Sequence, residues 1–190
     1  MSSETQTTNP RDAPARLIRA AASSTEPPTL SDPPLNERPR DGDDEATSNA
    51  TMATKILSMP VQPYRDGGYV VRVLEVRGRR TGIRRQVPIA VIQLDGARFL
   101  VSPRADRSWA RNLAADGRCA LTSGEGCETY RASPAEPAIA VQVLRTYVAQ
   151  LRWASAQFPF PDGASPDLIR EHLDQVAVFH LEPAAPEGSL

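Results

Sequence analysis

Three short apolar runs, Tyr69–Val76, Arg85–Leu94 and Arg98–Ser102, follow one another with only a tight bend between them. Each is rich in Val, Ile and Leu and reads as a strand. Asp95-Gly96, between the second and third, is a strong two-residue hairpin signal. A parallel partner would need a crossover of a dozen or more residues. The connections are too short for one, so these strands pair antiparallel. Two further short runs, Arg118–Ser123 and Gly126–Ser133, flank a turn at Gly124-Glu125, and Val176–Leu181 reads as a last strand. Six strands, mostly hairpin-linked, with two or three helices predict an antiparallel sheet or small barrel, mainly β with flanking helices, an α+β class. Without βαβ alternation, a doubly wound nucleotide fold is disfavoured.

The helices are placed by their start signals. Arg107–Asp116 is the first, with Asp106 expected as its N-cap. Ser133-Pro134-Ala135-Glu136 resembles a capping box with proline at the first helical position, opening a helix to about Arg152. Phe158 to Gly163 is expected as loop, and Ser165-Pro166 to cap a second helix to about Leu173. Residues 1–51 contain many Pro, Ser, Thr, Asp and Glu and almost no aromatic or β-branched apolar residues, so they read as a disordered tail. The folded domain is expected over residues 52–183, with 184–190 a short C-terminal tail.

Charge is unevenly spread. From Arg72 to Arg111 there are ten arginines against Glu75, Asp95 and Asp106. The densest part is Arg77-Gly78-Arg79-Arg80-Thr81-Gly82-Ile83-Arg84-Arg85, where five of nine residues are arginine. Arginine is the default base of this chain, 21 residues against the single Lys55, so only the clustering is informative. A strand–turn–strand carrying that much fixed charge, with backbone N–H groups free at the bend, suits a phosphate or carboxylate. Its bland alternative is a solvated basic hairpin. Gly-x-Gly-x-x-Gly and the lysine-bearing phosphate loop are both absent.

Trp109, Asn112 and Leu113 share one helix face by their spacing. Trp and Leu alone would dock the helix on the barrel. Asn112 is the odd member, because an amide on an apolar face needs a partner. A ligand or a neighbouring backbone would supply it. His172 and His180 are not spaced as metal ligands, and no nucleophile motif surrounds either cysteine. Across the Gly124 hairpin, Thr122 should face Cys127 and Cys119 should face Tyr130. The thiols are then out of bridging reach, so both read as reduced, in a cytoplasmic protein. No apolar run approaches the roughly 20 residues of a membrane span. Trp109 and Phe99 are the only aromatics of the basic stretch, which disfavours nucleic acid as a partner.

Gly78-Arg79-Arg80-Thr81-Gly82 with Arg85 and Pro88, then Asp95-Gly96, then Trp109 with Asn112-Leu113, resembles the deazaflavin-dependent nitroreductase family. The resemblance covers most of residues 70–183. It implies a split β-barrel of the FMN-binding type and a bound coenzyme F420, whose reduced form passes a hydride to an apolar small-molecule acceptor: a quinone, nitroaromatic or activated alkene. Carried onto this sequence, Arg79, Arg80 and Thr81 would hold the anionic tail. Arg85, Gln86, Val87, Pro88, Ile89 and Ala90 would run along the cofactor. Ser102, Pro103, Arg104 and Ala105 would lie against the ring system, and Ser108, Trp109, Ala110, Arg111 and Asn112 would complete the pocket. Tyr147, Trp153, Phe158 and Phe160 are the candidate acceptor contacts. The chain departs from the family's Ser-Lys-Gly-Gly-like loop, having Ser-Pro-Arg-Ala-Asp, and carries Arg107 where the family often has proline. Alternatives that stay open are FMN on the same barrel and a non-catalytic cofactor-binding module. Split barrels often dimerise, so a homodimer is open too.

Overall fold

The computed structural model describes residues 42–124 and 126–184. The parts of both expected tails that fall at 1–41 and 185–190 lie outside the described residues. Helix α1 (Gly42–Ser58) comes first and crosses Met52, where the folded unit was expected to begin. Six strands follow: β1 (Tyr69–Arg77), β2 (Arg84–Leu94), β3 (Ala97–Ser102), β4 (Arg118–Ser123), β5 (Gly126–Pro134) and β6 (Ala177–Pro183). They close into an antiparallel barrel in the order β1-β2-β3-β6-β5-β4, with β4 returning to β1. This six-strand antiparallel barrel with flanking helices is the architecture the hairpin-linked runs predicted. The β4–β5 register pairs Thr122 with Cys127 and Cys119 with Tyr130, as the turn position required. Both cysteines are free thiols.

Period-two alternation sorts the strands into two faces. Val70, Leu74 and Val76 of β1, Ile89 and Val91 of β2, Leu100, Leu121, Tyr130 and Phe179 fill the barrel interior. Helix α2 (Ser108–Asp116) adds Trp109, Ala110 and Leu113 to that cluster. Leu113 is 1% exposed; burial of a side chain that size contributes about 2 kcal/mol. On the outside, α3 (Pro137–Gln150), the 3-10 helix Arg152–Gln157 and α4 (Pro166–Glu171) cover Ala90, Ile92, Phe99, Val101 and Val178 in a second apolar layer. Helix α1 covers another outer patch, setting Ala53 and Ile56 on Val73.

Two helix starts differ from expectation. Arg107, not Asp106, is the cap residue of α2, and no side chain caps it. The Asp106 carboxylate is instead held by two hydrogen bonds from Arg104, at 3.0 and 2.8 Å. The Ser133–Glu136 capping box does not form. Ser133 and Pro134 stay in β5, paired with His180 and Phe179 of β6. Pro137 takes the first helical position of α3 and Glu136 becomes its cap residue. Strand pairing across the barrel outweighed a local helix signal worth about 1 kcal/mol. The expected cap of α4 does form: Leu168 N–H donates to Ser165 Oγ at 3.2 Å.

Candidate functional site

The arginine turn joins β1 to β2 and is internally braced. Gly78 N–H donates to the Ile83 carbonyl and Gly82 N–H to the Gly78 carbonyl, both at 2.8 Å. Ile83 N–H donates to Thr81 Oγ1 at 3.3 Å. Gly82 has φ +68°, a conformation that favours glycine. A side chain on Gly78 would place Cβ 2.9 Å from Thr81 Oγ1 and 3.1 Å from the Ile83 carbonyl oxygen. The Arg77 guanidinium lies beside Gly82. The expectation of free N–H groups at the bend is therefore corrected: the bracing engages four of them, including that of Arg79. Within Arg79–Thr81, the N–H groups of Arg80 and Thr81 donate to no other described residue.

Asn112 supplies the link between the turn and α2. It is 7% exposed, and its Oδ1 accepts from both the Arg79 backbone N–H and Arg79 Nη1, each at 3.2 Å. The amide on the apolar face thus has its partner in the neighbouring backbone. One side chain fixes the arginine turn against the helix that carries Ser108, Trp109, Ala110 and Arg111. Ser108 and Arg111 are exposed; Trp109 and Ala110 are buried, with the Trp109 ring 6.2 Å from Phe179.

Around this link, Arg80, Arg85 and Arg111 are exposed and have no ion pair among the described residues. Arg84, by contrast, is paired with Glu75 at 2.5 Å. Gln86 is exposed, Val87 half-buried and Pro88 buried. Ile89 and Ala90 are buried in different clusters, the barrel interior and the outer layer, so their side chains face opposite ways. The loop after β3 is fixed internally. Ser102 is fully buried, and its hydroxyl donates to the Arg104 carbonyl at 2.7 Å. Pro103 is buried, and Ala105 N–H donates to the Gln175 carbonyl. Hydrogen bonds from Arg104 hold the Asp106 carboxyl below its ordinary value. The Arg104 charge is thereby matched rather than free to stand in for the family's lysine.

Tyr147, Phe158 and Phe160 are brought together. Their rings form a chain, 5.7 Å between the first two and 5.3 Å between the last, inside the outer apolar layer, and Trp153 packs against it. Burial pushes the Tyr147 phenol up to about 12. Arg107 lies near that phenol and also donates to Gln157 Oε1 at 3.4 Å, which ties the start of α2 to the segment bearing Phe158.

A second polar cluster had no sequence signal. Arg72, 4% exposed, points inward from β1; its guanidinium donates to the Gln62 and Val71 carbonyls at 2.6 and 2.9 Å. Tyr64, between Pro63 and Arg65, lies under both Arg72 and Arg98, whose guanidinium carbons stand 4.9 and 3.7 Å from its ring centre. Its hydroxyl meets Glu128 Oε2 at 3.1 Å, and Arg98 Nη1 meets Glu128 Oε1 at 3.0 Å and the Tyr130 hydroxyl. Each polar group here already has a partner, so the cluster closes this part of the barrel. Four separated segments build it, and no local pattern announces it.

No family model and no curated protein matches the chain. Among solved structures, it is similar to Atu2129 of Agrobacterium tumefaciens, a protein of unknown function, at 18% identity and TM-score 0.46, over 60% of this chain and 48% of that one. A heme binding protein from Mycobacterium smegmatis is similar at 16% identity and TM-score 0.43, over 78% of this chain and 53% of that one. An F420-H2 dependent reductase, FDR-A, is similar at 19% identity and TM-score 0.40, over 64% of this chain and all of that one. The chain thus spans about half the length of the first two. Likenesses this remote concern chain path alone.

Proposed function

We propose that this chain is a deazaflavin-dependent oxidoreductase, taking hydride from reduced coenzyme F420 to an apolar acceptor. The observation that carries the reading is the Asn112–Arg79 link, which makes one surface of the Gly-Arg-Arg-Thr-Gly turn and the Trp-x-x-Asn-Leu helix. The donor set suits an anionic cofactor. Arg80 and Arg85 have no carboxylate partner among the described residues, Arg111 acts on Asp106 only without an ion-pair contact, and the Thr81 hydroxyl, which accepts from Ile83, still has its proton to donate.

When bound, the reduced deazaflavin supplies a hydride to a quinone, nitroaromatic or activated alkene. The protein's part is to bind and orient. Arg79, Arg80, Thr81 and Arg85 would hold the tail, with Arg79 oriented by Asn112. Ser108 to Asn112 would border the ring site, and the partly exposed Trp153, backed by the buried Tyr147, Phe158 and Phe160 rings, would face the acceptor. The buried Tyr147 phenol stays protonated across the neutral range. The reading is tested by titrating purified protein into oxidised F420 and following its fluorescence. Saturable quenching is expected at micromolar cofactor, weakened about tenfold by Arg85→Ala, the low end for a charge-assisted hydrogen bond. No quenching sinks the proposal; a yellow protein with a flavin spectrum assigns the same arginines to FMN.

A further inference from the structure

The arginine turn lies at one end of β2. Near the other end, about ten residues or roughly 30 Å of strand away, a cavity of about 480 Å³ opens between α3 and the loop that follows Phe160. That volume lies within the range of small-molecule sites, about 300–1,000 Å³. Leu94, Ala149, Pro161 and Ala164 give it apolar surface, backed by Leu144, Val148, Phe160 and Ile169, which are packed into the outer apolar layer. The facing loop is held as well, with Ala164 N–H donating to the Pro161 carbonyl at 3.2 Å.

One flank of α3 contributes the polar edge. Gln142, Arg145 and Ala149 follow at three- and four-residue spacing and so line up along the helix. Arg145 has no ion pair or hydrogen bond among the described residues. Asp162 lines the opposite wall, paired with Arg152 at 3.4 Å. The cleft therefore offers one uncompensated guanidinium above an apolar floor, with a carboxylate across from it. A guanidinium fork matches a carboxylate, and one guanidinium balances its single charge but leaves a dianionic phosphate half compensated.

We propose that this cleft binds a small amphipathic carboxylate, its apolar body on Leu94, Ala149 and Pro161 and its carboxylate on Arg145. The site stands apart from the arginine turn and does not require that the protein use a deazaflavin. Octanoate is the probe, titrated calorimetrically into the full chain, with octanol and octylammonium as matched controls. Saturable binding at one site per chain is expected, weaker by at least tenfold for octanol and for Arg145→Glu, and undetectable for octylammonium. Ala149→Trp, which fills the cleft beside Arg145, should abolish binding while thermal unfolding stays cooperative. The proposal is overturned by absence of saturable octanoate binding, by octanol binding as tightly as octanoate, or by affinity retained in either variant.

Discussion

Asn112→Ala isolates the contact on which the candidate site depends. The substitution removes one buried oxygen that accepts two hydrogen bonds from Arg79, one from the backbone and one from the guanidinium, each at 3.2 Å. The backbone bond is worth about 1 kcal/mol, and a bond to a charged donor about 1.5 kcal/mol at its low end. The low end applies because Arg79 is exposed and water can replace the lost acceptor. The sum, about 2.5 kcal/mol, would lower a urea midpoint by about 1.2 M if the slope is near 2 kcal/mol/M. An unchanged slope is expected, since the contact is local. Amide exchange at Arg79 should accelerate together with that at Gly78 and Gly82, whose bonds brace the same turn. Arg79→Ala should remove only the guanidinium part, and the double-mutant cycle should give a coupling of about 1.5 kcal/mol. A loss under about 0.5 kcal/mol in Asn112→Ala, with protection at Arg79 unchanged, would refute the reasoning. The turn would then be held without the helix.

Three more outcomes follow from the same structure. Gly78→Ala places Cβ within 3.1 Å of a backbone carbonyl that cannot swing aside, so a loss of about 1–3 kcal/mol is expected, read from thermal unfolding, with weakened F420 quenching. Burial raises the Cys119 thiol from 9.0 to about 12. The folded state then keeps that proton while the unfolded chain releases it, so stability is flat below about pH 9 and falls as pH rises from 9 toward 12. Cys119→Val should make that fall shallower, and in native protein the exposed Cys127 should react with a thiol reagent well before buried Cys119; equal rates would contradict the burial.

Features written into neighbouring residues were legible before the structure. Asp95-Gly96 fixed the β2–β3 hairpin, and the short apolar runs on either side of Gly124 set the Thr122–Cys127 register, because turn chemistry and period-two alternation act over a few residues. The i, i+3, i+4 spacing of Trp109, Asn112 and Leu113 placed all three on the buried face of α2. Signals that had to compete with distant partners failed. Ser133 and Pro134 lost their helix start to β6, some 45 residues on. Asp106 turned to Arg104 instead of capping.

What the sequence alone determined is the strand-and-turn order, hence the antiparallel barrel, and the crowding of arginines at one bend. Tertiary structure decided which of those arginines keep a free charge, which oxygen holds the turn, and that Tyr64, Arg72, Arg98, Glu128 and Tyr130 close one part of the barrel. The physical reason is range. Backbone preferences act within a few residues, whereas a buried polar group must take whatever partner the closed barrel brings to it. For Asn112 that partner is Arg79, 33 residues away.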